Sequence, residues 1–333
     1  MGPRTGKVLD YETRNKRCSQ CEVNERTGNE KEHDCRKNHS QSSKAMEGDI
    51  AVSLFQRSQH YTIKYETLIG DDDSTTISWI HAQVDSDVKK ISDVNHATTA
   101  LHKQLASIQR THKQLTRPVI DYVKRCFSYA IAQNTNDPDG LRCALDAIPG
   151  HMFGDHTSCG MSWCGFVQRL GPNLPDAKPY RHSSLRGGSD LTSEDLKQGL
   201  TAILRRFSAN AEKLAPRGSS QRNESLNSTI VSKTTKTRHY GGTAQNDYRV
   251  SAGIAQKNLS YDYIPGVMRE LGMSPGKNTV SHAQRMCRKR TLECSYKELP
   301  SFKRRRLRKK AERAGKTAAA EVIEGNEHYI QTS

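Results

Sequence analysis

Residues 61–69 alternate apolar and polar side chains, with Ile63, Tyr65 and Thr67 on one face. The run stops at Gly70 and three consecutive acids, Asp71, Asp72 and Asp73. A period of two over this length predicts a β-strand, so the chain is expected to carry carboxylates at the end of a strand. The period then changes. Leu101, Leu105, Ile108 and Leu115 return to one helix face. Pro118 opens a second helical run, with Val119, Val123, Phe127 and Ile131 in phase, and proline is well accommodated in a first turn. Ser193-Glu-Asp leads into a third, through Leu196, Leu200, Ile203, Leu204 and Phe207, with acids in its first turn.

Around these runs the pattern is weaker. Residues 7–12 read as a short strand, 14–44 as polar and irregular, and 43–58 as a helix. Asp93-Val-Asn-His96 reads as a helix start after a strand. Residues 134–140 form a polar turn, 145–190 are loop-rich, and 215–220 break the third helix. Helical runs are expected again at 221–232, 250–256 and 261–271. Apolar periodicity is lost from Pro275, and 281–333 reads as a basic helix followed by disorder. There is no internal repeat.

Only 34% of the 333 residues are hydrophobic and 6% aromatic, so a core must coexist with long solvated stretches. The net charge of +16 points to a polyanionic partner. Residues 281–316 hold 14 Lys/Arg and 3 Glu, a net of +11, which leaves +5 for the rest of the chain. Within them, Lys303, Arg304, Arg305, Arg306, Arg308, Lys309 and Lys310 are dense enough for nuclear import or phosphate contact; a merely solvated run is the alternative. No apolar run approaches a membrane span, and the polar N-terminus is not a signal peptide. Nine cysteines, an odd number with several near histidines, favour a reducing compartment and metal ligands over a disulfide framework.

Three groups of residues have the chemistry of sites. Divalent-metal phosphoryl transfer needs carboxylates from separate elements. On an alternating backbone Asp71 and Asp73 point together and Asp72 away. Glu224 opens a helix among small polar residues, Asn223-Glu-Ser-Leu-Asn-Ser228. By residue type alone all four acids are better explained as surface groups than as ligands. Cys18, Cys21, Cys35 and His39 have zinc-ligand spacing, with His33 as the substitute for His39; free cysteines in a loop are the other reading. His156, Cys159 and Cys164, with His182 downstream, form a second candidate zinc set, against a structural histidine and buried thiols. Cys126 and Cys143 read as core residues.

Eight stretches together carry a resemblance. They are Thr5-Gly-Lys-Val-Leu-Asp-Tyr-Glu12, Lys37-Asn-His-Ser-Gln-Ser-Ser-Lys-Ala-Met-Glu-Gly48, Gly70-Asp-Asp-Asp-Ser74 and Asp93-Val-Asn-His96. Phe153-Gly-Asp-His156, Lys213-Leu-Ala-Pro-Arg-Gly-Ser-Ser-Gln221, Asn223-Glu-Ser-Leu-Asn227 and Arg238-His-Tyr-Gly-Gly242 complete the set. In this order, over residues 5–275, the chain resembles the Mutator-like transposases, in their cysteine-containing invertebrate branch. The resemblance implies an α/β, ribonuclease H-like catalytic fold in residues 5–96, with a Cys/His insertion at 14–44. It further implies an all-helical insertion at 97–215, closing helices at 216–275 and a basic, mostly disordered tail at 276–333. It implies an Asp–Asp–Glu triad using Mg2+ or Mn2+, with the second acid at Asp71 or Asp73, the Glu at Glu224 and a supporting His96.

The family's first Asp precedes the Thr5–Glu12 motif, so the sequence reads as N-terminally truncated, and Asp10 is only a distant substitute. The expectation is therefore a nuclear, DNA-binding transposase relative with zinc. Its phosphodiester cleavage and strand transfer would be defective for want of one carboxylate. A non-catalytic, zinc-stabilised DNA-binding or interaction protein derived from a transposon is the alternative.

Overall fold

The computed structural model describes residues 1–2, 5–61, 63–169, 182, 185, 188–235, 237–238 and 240–313. It is mostly helical, with one small parallel sheet, an α/β arrangement. The chain divides into two compact units: residues 1–228 with 236–246, and residues 229–235 with 247–333. Among the described residues no helix is long and apolar enough to cross a membrane.

In the first unit, α1 (Ser19–Thr27) and α2 (Ala45–His60) precede β1 (Thr67–Gly70), α3 (Thr75–Gln83) and β2 (Lys89–Ser92). The two strands pair in parallel, Thr67 opposite Lys89 and Gly70 opposite Ser92. A small core of Val52 and Phe55 from α2, Ile77 and Ile80 from α3, and Val88 supports this sheet. The strand expected over 61–69 is thus only four residues long, because β2 offers only four residues of ladder. The strand expected at 7–12 pairs with no other strand among the described residues. Its acids bind side chains instead: both Asp10 oxygens receive the Arg57 guanidinium, at 2.8 and 2.9 Å, and Glu12 pairs with Arg14.

The helices expected around Leu101, Val123 and Leu200 form because their apolar faces meet in one core, although Leu115, expected on the first of them, lies beyond its end at Gln109. Helices α4 (Val94–Gln109), α5 (Arg117–Gln133), α6 (Pro138–Met152), α8 (Glu194–Ser208) and α9 (Ala211–Leu214) contribute Leu101, Leu105, Val123, Phe127, Leu145, Ile148, Leu196, Leu200 and Leu214, all nearly or wholly buried. Their starts are chemically fixed. Asp93 caps α4, Asp137 caps α6 ahead of Pro138, and Ser193 caps α8 through the Leu196 amide. Helix α6 is the main departure from the sequence reading, which placed a turn and loops there. Its Pro138 and Gly140 lie in the first turn, where a helix tolerates them, while Pro149 stands inside the helix, where it removes a backbone hydrogen bond and the helix persists through its buried face. Short α7 (Gly165–Arg169) follows, and α10 (Gln221–Lys233) begins where the 221–232 run was expected.

The second unit contains α11 (Gln245–Leu259), a 3-10 turn at Ser260–Asp262, α12 (Tyr263–Glu270) and α13 (Lys277–Glu298). Residues 300–313 are helical as well. Of the tail expected at 276–333 to be mostly disordered, residues 277–298 and 300–313 are thus helical, and residues 314–333 lie outside the described residues.

Candidate functional site: an acidic corner and two Cys/His groups

Three chain segments end side by side. Gly70 closes β1, Asp93 follows β2 and donates its amide to Gly70 O at 2.8 Å, and Gly218 forms a parallel bridge with Asp93. The Gly218 segment fits only because it lacks a Cβ. A methyl there would lie 2.6 Å from Ile91 Cγ2, 2.8 Å from Ser92 O and 2.9 Å from Ile69 Cγ2. Gly218→Ala is therefore expected to cost about 1–3 kcal/mol through overpacking, read as an earlier urea midpoint. An unchanged midpoint would show that this segment can move away freely.

Asp93 fastens the corner. It is fully buried, and its Oδ1 accepts the amides of Asn95 at 2.7 Å and His96 at 2.9 Å, while Oδ2 accepts the Ser220 amide at 2.5 Å. Burial alone would raise its pKa. The amides of Ser220, His96 and Asn95, with the Ser220 hydroxyl, outweigh it and hold the carboxyl below the usual range. One carboxylate thus fixes the starts of both α4 and α10. It thereby brings His96 Nε2 to 3.8 Å from Glu224 Oε1. Ser220 Oγ lies 3.5 Å from the same oxygen. The sequence pattern showed Asp93 only as part of a helix start; an Asp directly before a helical run is the capping signal that marks it.

The three acids after β1 are not arranged as strand alternation implied. Asp72, expected to point away, accepts the Ser92 hydroxyl at 2.6 Å, at the end of β2. Asp73 Oδ1 instead accepts the amide and hydroxyl of Thr75, and these hydrogen bonds hold its pKa below the usual carboxylate range. Asp71 is exposed, and its Oδ1 lies 3.4 Å from the Asp73 amide. The pleat ends at Gly70, so a turn, not a two-residue period, aims these side chains. Among the described residues, Asp71, Asp72, Asp73 and Glu224 belong to no group of three donors lying within 4.8 Å of one another. Asp10, held by Arg57, does not supply a further ligand.

Two Cys/His groups do converge. The first joins Cys18, Cys21 and Cys35 with His33, all donor atoms within 4.8 Å of one another. Cys21 Sγ lies 3.3 Å from His33 Nε2 and 3.5 Å from Cys35 Sγ. His33 Nδ1 faces Lys31 O at 3.0 Å, which leaves Nε2 for a metal. Burial would raise the Cys18 thiol, but backbone groups of Cys21, Arg36 and Gln20 bring it down to about 6. The fourth member is His33 and not His39. Asn24 holds the loop at Lys31 O, so residue 33 returns to the start of α1. His39 lies beyond it, buried, between Asp49 Oδ2 at 3.3 Å and Ser42 O at 3.2 Å.

The second group joins His151, His156, Cys159 and Cys164. His151, at the end of α6, takes the place expected for His182. The His182 ring packs against it, centroids 4.5 Å apart, with its Nε2 3.8 Å from Asp190. Burial first, then His182 and His156, push His151 down to about 3, so its imidazole is neutral at pH 7. His151 escaped the sequence reading because α6 was not expected; the spacing His-x4-His-x2-Cys-x4-Cys was its available signal. Of the cysteines expected in the core, Cys126 is half-buried and Cys143 exposed.

Residues 1–164 match the family model described as Mutator-like transposase. Over those residues the chain is a Mutator-like transposase domain. The transposase domain includes the acids after β1, Asp93, His96 and all eight members of the two Cys/His groups, while Glu224 lies beyond the match. No curated protein and no solved structure matches the chain.

In the second unit, Lys303, Arg304, Arg305, Arg306, Arg308, Lys309 and Lys310 are all exposed on the helical residues 300–313, with Arg308 3.4 Å from Glu312.

Proposed function

We propose that this transposase-derived protein binds DNA through its basic helix and that the described chain alone does not cut it. The observation that carries the reading is seven exposed Lys/Arg side chains within 303–310, in a segment of net charge +11. Such a surface binds phosphate without reading sequence. The same run has the density of a nuclear-import signal, and we assign the protein to the nucleus on that basis.

The acidic corner is the proposed remnant of a ribonuclease H-like site. Mg2+ or Mn2+ keeps several waters and needs only one or two protein carboxylates, and Asp71 or Asp72 together with Glu224 are the proposed ligands. When bound, the ion neutralises phosphate charge and lowers the pKa of water. Ser92 orients Asp72, Asp93 fixes the approach of α10, and His96 stands beside Glu224. DNA cleavage with strand transfer, the activity implied for a complete triad, needs a further carboxylate that the described residues do not bring to this corner. Zinc in the first Cys/His group is the proposed organiser of residues 14–44.

Anisotropy with a labelled random duplex tests the binding. For four phosphate contacts, affinity is expected to fall about 150-fold between 50 and 200 mM salt, and replacing the seven basic residues by alanine to flatten that slope. Salt-insensitive or absent binding would overturn the reading. A nicking assay in Mg2+ and Mn2+ is expected to stay negative; cleavage abolished by Glu224→Gln would instead establish a working site.

A further inference from the structure

We propose that His151, His156, Cys159 and Cys164 hold a second zinc ion, with both histidines ligating through Nδ1 and Tyr122 orienting His151. Five of the six donor–donor separations in this group are 3.2–3.7 Å. His151 Nδ1 is 3.2 Å from His156 Nδ1, 3.5 Å from Cys159 Sγ and 3.6 Å from Cys164 Sγ. His156 Nδ1 is 3.7 Å from Cys159 Sγ and 3.5 Å from Cys164 Sγ. A tetrahedral zinc with ordinary Zn–N and Zn–S bonds has ligand edges of about 3.3–3.8 Å, so one centre matches these five edges to about 0.1 Å.

Hydrogen bonding alone does not account for the arrangement. Each contact needs one proton. Two thiols and one Nδ1–H supply three at most, since protonating both Nδ1 atoms sets two donors against each other. Five mutual contacts among four groups therefore exceed the protons available, whereas a cation at their centre attracts all four lone pairs.

The surroundings fit a metal-bound histidine. Tyr122 Oη lies 2.9 Å from His151 Nε2, an oxygen partner on the ring nitrogen remote from the group. The hydroxyl is able to accept from Nε2–H, which is the tautomer that leaves Nδ1 free to ligate. Phe166 stacks on His156 at 4.2 Å and Trp163 packs edge-on to His151 at 4.9 Å, so apolar rings flank both ligating histidines. The donors come from the end of α6, the loop after it and the residue before α7, and Tyr122 from α5. The ion ties the loop after α6 to the helical core, independently of any DNA chemistry.

Zinc content of the full chain tests this. The Cys18→Ser/Cys21→Ser protein is expected to retain one zinc per chain, and its cobalt form to show charge transfer from two thiolates. Cys159→Ser/Cys164→Ser should lose one zinc relative to wild type. Tyr122→Phe should weaken zinc affinity at least about 10-fold, while His182→Gln leaves it unchanged. No zinc in the Cys18→Ser/Cys21→Ser protein overturns the proposal. Should that variant be insoluble, cobalt loading of Trp79→Phe decides. Quenching of Trp163, the remaining tryptophan, is expected, and unquenched emission overturns the proposal.

Discussion

Replacing Cys21 by serine is expected to release residues 14–44 from their fold while β1, β2 and the helical core persist. Helix α1 buries none of its nine residues, so apolar packing contributes almost nothing to its stability. Nine-residue helices are not stable alone in water. What remains is a handful of polar contacts. Asn38 reaches Asn15 N at 2.7 Å and Thr13 O at 3.0 Å, and the Ser19 amide reaches Gly242 O at 2.9 Å. A structural zinc contributes on the order of 10 kcal/mol in isolated zinc-finger peptides, far more than these bonds together. Hydrogen exchange in 18–38 should accelerate at least about 100-fold in the variant. Helix α2 should keep its protection, because Val52 and Phe55 pack on Ile77 and Ile80 without the cysteines. Unaltered exchange in 18–38 would mean that no metal organises the segment. His39→Gln should leave the zinc content unchanged, since His39 faces Asp49 and Ser42.

Asp93→Ala is expected to destabilise the first unit by about 2–4 kcal/mol. It removes a helix cap and leaves the Ser220 amide without its carboxylate partner in a buried position. For a unit of this size that is a fall in Tm of roughly 5–10 °C. Asp93→Asn should fall between the two, because it keeps the Oδ1 acceptor for Asn95 and His96 but sets an amide against Ser220. The pH dependence has a definite sign. The folded-state pKa is held below its usual value, so the carboxylate's contribution is fully present above about pH 4. It is lost as pH falls through the depressed pKa. The stability difference between wild type and Asp93→Ala should therefore be flat from neutral pH down to about pH 5 and shrink only in stronger acid. A gap that instead closes between pH 6 and 8 would assign it to another group. Glu224→Gln serves as the control. Its side chain is 59% exposed, so any effect on divalent-ion binding should come without a loss of stability.

Much of the scaffold was legible because its signals are local. The 3.6-residue periods around Leu101, Val123 and Leu200 and the start signals at Pro118 and Ser193 depend only on neighbours a turn away. Those helices accordingly appear close to where they were expected. Helix α6 was hidden by its own prolines and glycines: Pro138 and Gly140 are harmless in the first turn, and Pro149, inside the helix, is outweighed by the burial of Leu141, Leu145 and Ile148. The strand at 7–12 failed for the opposite reason. Its residues suit a strand, but a strand needs a partner, and none pairs with it among the described residues.

The sequence by itself determined which chemistry this protein contains: a Mutator-like transposase domain, acids after a strand, two sets of cysteines near histidines, and a dense basic run. Only the tertiary structure decided which members meet. His33 and not His39, His151 and not His182, and Asp72 as the acid facing β2 all depend on where separate elements cross. Spacing limits how far a residue reaches along its own segment. It carries no information about the neighbour that a loop held by Asn24, a cap made by Asp93 or a close approach at Gly218 will bring alongside.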